Sequence, residues 1–137
     1  MAVVSGFNTN GMIADNLSYS TDSTQSTEES VPLTVEEKVN QYFSDLPIMI
    51  DIARCESHFR QVDKNGKIFR GVANRYDVGV MQINEMYHLE ESKKLGYDIY
   101  TTEGNMAYAR YLYEKEGARP WIASSPCWAK YSNIAKK

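Results

Sequence analysis

Two short stretches of the sequence contain the residue types that acid–base chemistry on a sugar requires. Residues 54–57 read RCES, and they place Glu56 at the end of an apolar segment, directly after Cys55. Residues 77–84 read DVGVMQIN, a mostly apolar run that starts with Asp77 and carries amides near its far end. A carboxylic acid in an apolar setting that faces a polar strand edge is suited to cleaving a glycosidic bond.

Glu56 is the residue whose position most favours a raised pKa. It follows a cysteine, a residue type that is usually buried, and it shares a helical face with Met49 and Ala53. It also falls at a predicted helix C-terminus, where the helix dipole opposes negative charge. Desolvation and the dipole both favour the protonated form, which a general acid needs at neutral pH. The alternative interpretation is a solvated acid at a helix end.

Length and composition limit the classes of protein that the chain can belong to. With 137 residues, 42% of them apolar and 24% charged, the chain has room for one globular domain. It has no apolar run of about 18 residues, so no transmembrane segment is expected. Residues 1–37 contain six acids and no base, and the remaining hundred residues carry 15 bases and 12 acids. That net charge of +3 is too small to predict nucleic-acid binding.

The composition also divides the chain into a leader and a domain. Residues 1–33 are acidic and rich in Ser and Thr, and they contain too little apolar surface to offset the entropy of ordering. We therefore expect a flexible leader at 1–33 and a folded domain at 34–137. No secretory signal is visible in the leader, because it lacks a basic start and a long apolar segment.

Helix signals dominate the domain. Thr34 and Glu37 form a capping box for a first helix, and Asp45 with Pro47 predicts the start of a second. The second helix is predicted to bury a stripe of four residues: Ile48, Ile52, Cys55 and Phe59. Later helices are predicted over about 86–95 and 103–116, each ended by a glycine.

The remaining segments predict a small sheet and a loop. The Asn65-Gly66 pair favours a tight hairpin, and residues 67–72 and 78–84 are predicted as strands beside it. Residues 119–128 are predicted to be loop. The fold class is therefore α+β, mostly helical with one small antiparallel β-sheet.

In combination, the two stretches resemble the lytic transglycosylases of the lysozyme-like superfamily. That family has a Glu-Ser pair followed by a Gly-Leu-Met-Gln-Ile element, which Glu56-Ser57 and residues 79–83 match closely. An Asp two residues before the Gly resembles the small secretion-system-associated enzymes and is also shared with animal-type lysozymes. The pair of cysteines with Trp121 is similar to resuscitation-promoting factor domains. The resemblance covers roughly residues 36–130 and implies a lysozyme-like fold.

The resemblance implies a reaction and a catalytic residue. Glu56 would be the acid that cleaves the β-1,4 bond between N-acetylmuramic acid and N-acetylglucosamine in peptidoglycan, leaving 1,6-anhydromuramyl ends. No metal or cofactor is implied. One alternative is a lysozyme-type muramidase, in which Asp77 joins Glu56 and water ends the reaction. The second is a non-catalytic peptidoglycan-binding module.

The resemblance also implies the residues that bind the sugar. Gln82 and Asn84 would face the cleft, whereas Ser57 would support the acid and the sugar or simply bond to the helix-end backbone. Asp77 would be a second carboxylate, or it would cap the turn before the strand. We take the second view as our hypothesis, with Asp77 directed towards turn amides.

Aromatic candidates for the site lie later in the chain. Tyr108 or Tyr111 would supply the tyrosine that the family places in its site, because the segment at 105–112 resembles the family's corresponding helix. Trp121 would stack on a sugar or, alternatively, cover the core.

Cys55 and Cys127 are the two cysteines of the sequence. They could be reduced, form half of a metal site or form a disulfide, but His58 and His88 stand alone, which argues against a metal. We expect a disulfide between them, which would imply an oxidising compartment. We therefore expect an extracytoplasmic monomer, in the periplasm, in the cell wall or secreted, whose partner is peptidoglycan.

Overall fold

A computed structural model describes residues 27–134. The predicted leader lies outside this range except for residues 27–33, which contain no helix or strand. The chain divides between residues 31 and 32, and the second unit contains all the elements described below. Within the described residues, no helix is long and apolar enough to cross a membrane.

Five α-helices and a two-stranded antiparallel sheet form the described domain, so the predicted α+β class is confirmed. Ahead of α5 lies a 3-10 helix at Arg119–Ser124. The elements in chain order are α1 (Val35–Tyr42), α2 (Pro47–Ser57), β1 (Asp77–Val78), β2 (Ile83–Asn84), α3 (Glu85–Lys94), α4 (Thr102–Glu116) and α5 (Ser125–Ile134).

The starts of α1 and α2 are set by local capping chemistry. The predicted capping box is confirmed: the Thr34 hydroxyl accepts from the Glu37 amide at 3.2 Å, and the Glu37 carboxylate accepts from the Thr34 amide at 2.8 Å. Pro47 begins α2 as expected, but the prediction that Asp45 caps it is wrong. Asp45 instead accepts two hydrogen bonds from Arg110 on α4, at 2.8 and 3.0 Å.

Helix α2 carries Glu56 and is buried along a different stripe from the predicted one. Its buried residues are Met49, Ile52, Ala53 and Ser57. Ile48, Cys55 and Phe59 are only half-buried. The buried face is rotated because the C-terminal segment packs on α2, which apolar spacing alone does not reveal. Since Glu56 lies three residues after Ala53, it falls at the edge of this face and is half-buried.

The predicted strand over residues 78–84 is wrong, because the chain turns back within it. Strands β1 and β2 contain two residues each, pair Asp77 with Asn84, and are joined by residues 79–82. Gly79 and Gln82 both have a positive φ, of 76° and 53°, and this reverses the chain. In a single extended strand, Gln82 and Asn84 would lie on the same face. In the hairpin, Gln82 belongs to the turn and Asn84 belongs to β2.

The predicted strand at 67–72 is also wrong and is reduced to isolated bridges, Val62 with Ile68 and Arg70 with Val78. The turn before it does form. The Asp63 carboxylate accepts from the amides of Asn65 and Lys67, at 2.7 and 3.0 Å. Because these two backbone amides donate to a side chain, they are not available for hydrogen bonds between paired strands. This favours a turn over a regular hairpin.

The C-terminal segment is helical, so the prediction of a loop at 119–128 is wrong. Pro120 and Pro126 fall in the first turns of the 3-10 helix and α5, where proline is tolerated because the amide has no helical partner. Trp121 and Trp128 are buried, and α5 packs on α2. Tertiary burial of these rings stabilises helices whose sequence resembles a loop. Helices α3 and α4 match their predicted ranges within one residue.

Candidate active site

Two cavities meet at Glu56, Asp77 and Gln82, the three residues that line both. The tryptophan-side cavity, of about 140 Å³, is also lined by Asn84, His88 and Trp121 among others. The loop-side cavity, of about 280 Å³, is bounded by residues 58–74: His58, Arg60, Phe69, Gly71, Val72, Ala73 and Asn74. Both predicted carboxylates and the predicted amide Gln82 therefore lie where the two cavities join.

Glu56 occupies the last turn of α2 and has a raised pKa. Burial is the main cause, and the negative charge of Asp77 adds to it. Ser124, at the end of the 3-10 helix, opposes both effects by donating a hydrogen bond from its hydroxyl to the Glu56 carboxylate. The net effect is that the Glu56 carboxyl keeps its proton to a higher pH than an ordinary glutamate does.

Asp77 does not point towards turn amides, so that hypothesis is wrong. Its carboxylate accepts a hydrogen bond from the side-chain amide of Asn84 at 2.9 Å. The turn is capped by Asn74, whose side chain accepts from the Tyr76 amide at 3.0 Å. Burial raises the pKa of Asp77, and the bond from Asn84 opposes that rise.

Asn84 lines the tryptophan-side cavity as predicted, but its side chain is engaged within the protein. Its oxygen caps α3 by accepting from the amides of Met86 and Tyr87, at 3.0 and 3.2 Å. Its nitrogen holds Asp77. Gln82 also lines the cavities, and its side-chain nitrogen donates to the Gly79 carbonyl at 2.9 Å. Both amides therefore orient the site before any ligand binds.

Ser57 is fully buried and cannot reach a bound sugar, which corrects the prediction of direct contact. Its hydroxyl donates to the Val80 carbonyl at 2.8 Å and accepts from the Arg60 amide at 3.1 Å. The alternative interpretation, a helix-end hydroxyl that satisfies backbone groups, describes this arrangement. Ser57 ties the end of α2 to the turn between β1 and β2, and so supports Glu56 indirectly.

Two buried amide side chains that sequence reasoning missed hold the turn between β1 and β2. The Val80 amide donates to Gln61 and the Met81 amide donates to Asn105, both at 2.8 Å. They leave no room at Gly79, where an added Cβ would lie 2.4 Å from the Asn105 side-chain nitrogen. One of the two, Asn105, could have been found from the sequence, because it is a polar residue on the apolar face of α4.

Neither predicted tyrosine lines the two cavities. The Tyr108 ring is 1% exposed, and its hydroxyl lies 2.9 Å from Nδ1 of His88. The Tyr111 hydroxyl donates to Glu91 and accepts from Lys115, both at 3.2 Å. The side chain that reaches the cavity from this cluster is His88, which sequence reasoning treated only as an isolated histidine.

Trp121 lines the tryptophan-side cavity but is only 3% exposed, so it has no free face on which a sugar can stack. Its indole nitrogen donates to the Met81 carbonyl at 2.8 Å. Its carbonyl accepts from the Trp128 indole at 3.0 Å. The alternative role, that of covering the core, fits this burial, and the prediction of sugar stacking is corrected.

The Cys55–Cys127 disulfide is confirmed, with the two Cα atoms 6.0 Å apart. It rules out the reduced and metal-site alternatives for these two residues. Cys55 precedes Glu56, and Cys127 follows Ser124 by three residues. The bond therefore connects the two segments that meet at the Glu56 carboxylate. In the described part of the chain, no group of three or more His, Cys, Asp or Glu residues is arranged to hold a metal ion.

Comparison of the chain with protein-family models, with curated proteins and with solved structures finds no match. The chemistry of the site must therefore be inferred from the site itself. It has one half-buried carboxyl with a raised pKa, a second carboxyl in the same cavities, and fixed amide and hydroxyl donors around them. That set of groups can transfer a proton to and from a neutral oxygen.

Proposed function

We propose that this protein is a lytic transglycosylase with a lysozyme-like fold that cleaves peptidoglycan. The single observation that carries the proposal is the position of Glu56, whose pKa is raised by burial at the junction of two cavities. A general acid for glycoside cleavage must hold a proton at working pH and must sit where the chain of sugars passes. The raised pKa of Glu56 and its place in the lining of both cavities support this role.

The proposed reaction uses one acid twice. Glu56 donates its proton to the oxygen that leaves when the bond between N-acetylmuramic acid and N-acetylglucosamine breaks. The substrate's own acetamido oxygen stabilises the positive charge that develops on the sugar. The ionised Glu56 then takes the proton from the muramyl 6-hydroxyl, whose oxygen bonds to the anomeric carbon and closes a 1,6-anhydro ring. The proton balance returns Glu56 to its starting state.

The two cavities support a polymeric substrate. Sugars on either side of the cleaved bond need binding sites next to the acid, and the tryptophan-side and loop-side cavities are both lined by Glu56, Asp77 and Gln82. The disulfide is compatible with an oxidising compartment, where peptidoglycan is found. We propose accordingly that the protein acts as a monomer outside the cytoplasm.

A lysozyme-type hydrolase is the second candidate, and one observation favours it. Asp77 lines the same two cavities as Glu56, as a second carboxylate must. Against it, the Asp77 carboxylate is already bonded to the side-chain amide of Asn84, and the single-acid reaction needs no second carboxylate. The single-acid reaction therefore remains our proposal.

Mass spectrometry of the fragments released from purified sacculi tests the proposal. We expect 1,6-anhydromuramyl ends from the wild type. The Glu56→Gln variant should lose about 10²–10⁴-fold in activity, which is the contribution of proton transfer. Its circular dichroism spectrum should be unchanged.

Three other outcomes would contradict the proposal. Reducing ends would indicate the hydrolase, and binding without release would indicate a non-catalytic peptidoglycan-binding module. Activity of Glu56→Gln within tenfold of the wild type would remove Glu56 from the mechanism. Glu90→Gln, on the exposed side of α3, is a matched control that should cleave like the wild type.

A further inference from the structure

His88 is a titratable side chain that the proposed acid–base steps do not use. It projects from the first turns of α3 and lines the tryptophan-side cavity together with Glu56 and Asp77. The ring is half-buried, and desolvation lowers its pKa, which favours the neutral form. A neutral imidazole has one N–H donor and one acceptor nitrogen, so the position of the proton decides what the ring can bind.

Tyr108 determines which ring nitrogen carries that proton. Its hydroxyl lies 2.9 Å from Nδ1 of His88. Tyr108 is 1% exposed, and burial raises its pKa to about 12, so the phenol keeps its proton. If Nδ1 carried the proton, it would donate to the phenol oxygen and leave the buried phenol proton without an acceptor, which is unfavourable. Tyr108 therefore donates to Nδ1, and the ring proton lies on Nε2.

Packing also fixes the ring in place. The His88 and Tyr108 rings are 5.4 Å apart between centroids, and Tyr111 packs on the other side of Tyr108 at 5.5 Å. Tyr111 is itself bonded to Glu91 and Lys115. Since Nδ1 is bonded to Tyr108, Nε2 is the ring nitrogen left to bind a ligand.

A fixed N–H donor is complementary to the other polar groups of the cavity. In the proposed reaction the proton of Glu56 goes to the leaving oxygen, so the carboxyl oxygens of Glu56 and Asp77 are left as acceptors, and the Asn84 side chain is bonded to Asp77 and to the α3 amides. A sugar hydroxyl can donate to these carboxylates. An amide carbonyl cannot, because it has only acceptor lone pairs and needs a donor.

We infer that His88 binds the carbonyl oxygen of an N-acetyl group on the sugar through Nε2–H, and that Tyr108 positions the ring for this bond. The inference rests on the proposed function, because it assumes a sugar in the cavity. It adds a residue that selects N-acetylated over de-N-acetylated glycan, a role separate from proton transfer by Glu56.

Nitrogen NMR on the full chain labelled with ¹⁵N-histidine tests the tautomer without any substrate. The sequence contains two histidines, and the exposed His58 serves as an internal reference. We expect His88 to be protonated on Nε2 and Tyr108→Phe to move its shifts towards the averaged pattern of His58. A proton on Nδ1, or shifts that do not change in Tyr108→Phe, would overturn the inference.

Sugar binding tests the role of the donor. In the Glu56→Gln background, which prevents turnover, an N-acetylglucosamine tetrasaccharide and its de-N-acetylated counterpart are titrated. We expect His88→Leu to weaken binding of the acetylated sugar about tenfold, the effect of one lost hydrogen bond. His88→Gln, which presents an amide N–H near the position of Nε2, should restore it to within about threefold of the parent.

The binding results separate this inference from the proposed function. The inference is wrong, whatever sacculi assays show, if His88→Leu binds the acetylated sugar as tightly as the Glu56→Gln background does. It is also wrong if His88→Leu weakens the binding of both sugars equally, or if neither sugar binds. If the binding pattern holds and the wild type releases nothing from sacculi, the inference stands and the proposed reaction is wrong.

Discussion

At the scale of single residues, the acidity of Glu56 depends on neighbours with opposing effects. Burial and the charge of Asp77 raise its pKa, and the hydrogen bond from Ser124 lowers it. In the proposed reaction, the protonated form donates to the leaving oxygen, and the ionised form receives the proton back. The bond from Ser124 therefore favours the second half of the proposed reaction at the expense of the first.

Ser124→Ala should shift the pH dependence of cleavage to higher pH. Without the hydrogen bond, the ionised carboxylate loses stabilisation, so the pKa of Glu56 rises further. The acid then stays protonated over a wider range, and the basic limb of the kcat/KM profile moves upward. The pH profile measured on sacculi checks this, with Ser125→Ala as the neighbouring control. A basic limb that stays in place or moves down would contradict the assigned role of Ser124.

Asp77→Asn separates the two candidate reactions. If the substrate closes on its own hydroxyl, the enzyme needs one acid, and this variant should retain most of its activity and still produce anhydro ends. The side-chain amide of Asn84 can bond an amide oxygen as it bonds the carboxylate, so the local geometry should survive. The products are measured by mass spectrometry. A loss of more than about 10²-fold, equal to about 2.7 kcal/mol of transition-state stabilisation, would favour the hydrolase.

At the scale of elements, the turn between β1 and β2 depends on contacts that come from far along the chain. Gln61 precedes the turn by about twenty residues and Asn105 follows it by a similar number, yet both bond to its amides. Asn105 also donates to the carbonyls of Val78 and Ile99, at 3.0 and 2.8 Å. The turn is thereby fixed to α4 while it presents Gln82 to the cavities.

Gly79→Ala should destabilise the domain more than Gly96→Ala does. Both glycines have a positive φ, of 76° and 83°. An alanine in this left-handed conformation should lower the free energy of unfolding by about 1–2 kcal/mol at either site. At Gly79 the new Cβ would also meet Asn105, whereas at Gly96 nothing lies within 4 Å. The extra cost of overpacking should be about 1–3 kcal/mol. Denaturant unfolding measures the difference, and equal losses in the two variants would contradict the packing at Gly79.

At the scale of the whole molecule, the disulfide joins the end of α2 that carries Glu56 to the C-terminal helices. It links residues 72 positions apart, so its removal should lower the free energy of unfolding by about 2–4 kcal/mol. The replacement Cys55→Ala with Cys127→Ala should also reduce cleavage, because Ser124 would be held less firmly against Glu56.

Denaturant unfolding with and without a reductant measures the effect of the disulfide. The wild type should lose stability on reduction, and the double variant should be insensitive to it. A wild-type midpoint that does not move on reduction would contradict a stabilising bond.

The sequence by itself determined those features whose causes lie within a few residues. Capping at Thr34, the glycines after α3 and α4, and the turn at Asp63 were predictable because each depends on local backbone hydrogen bonds or on φ. The candidate site was partly predictable in the same way. Glu56 and Gln82 belong to short motifs, and both line the cavities.

Only the tertiary structure decided where side chains separated by tens of residues meet. The partner of Asp77, the bond from Ser124 to Glu56 and the pairing of His88 with Tyr108 all depend on the packing of distant helices. Packing also rotated the buried face of α2 and made helices of residues that resemble a loop, because burying two tryptophans outweighs weak local preferences. Local patterns specify elements, whereas the relative placement of elements is set by the apolar surface they bury together.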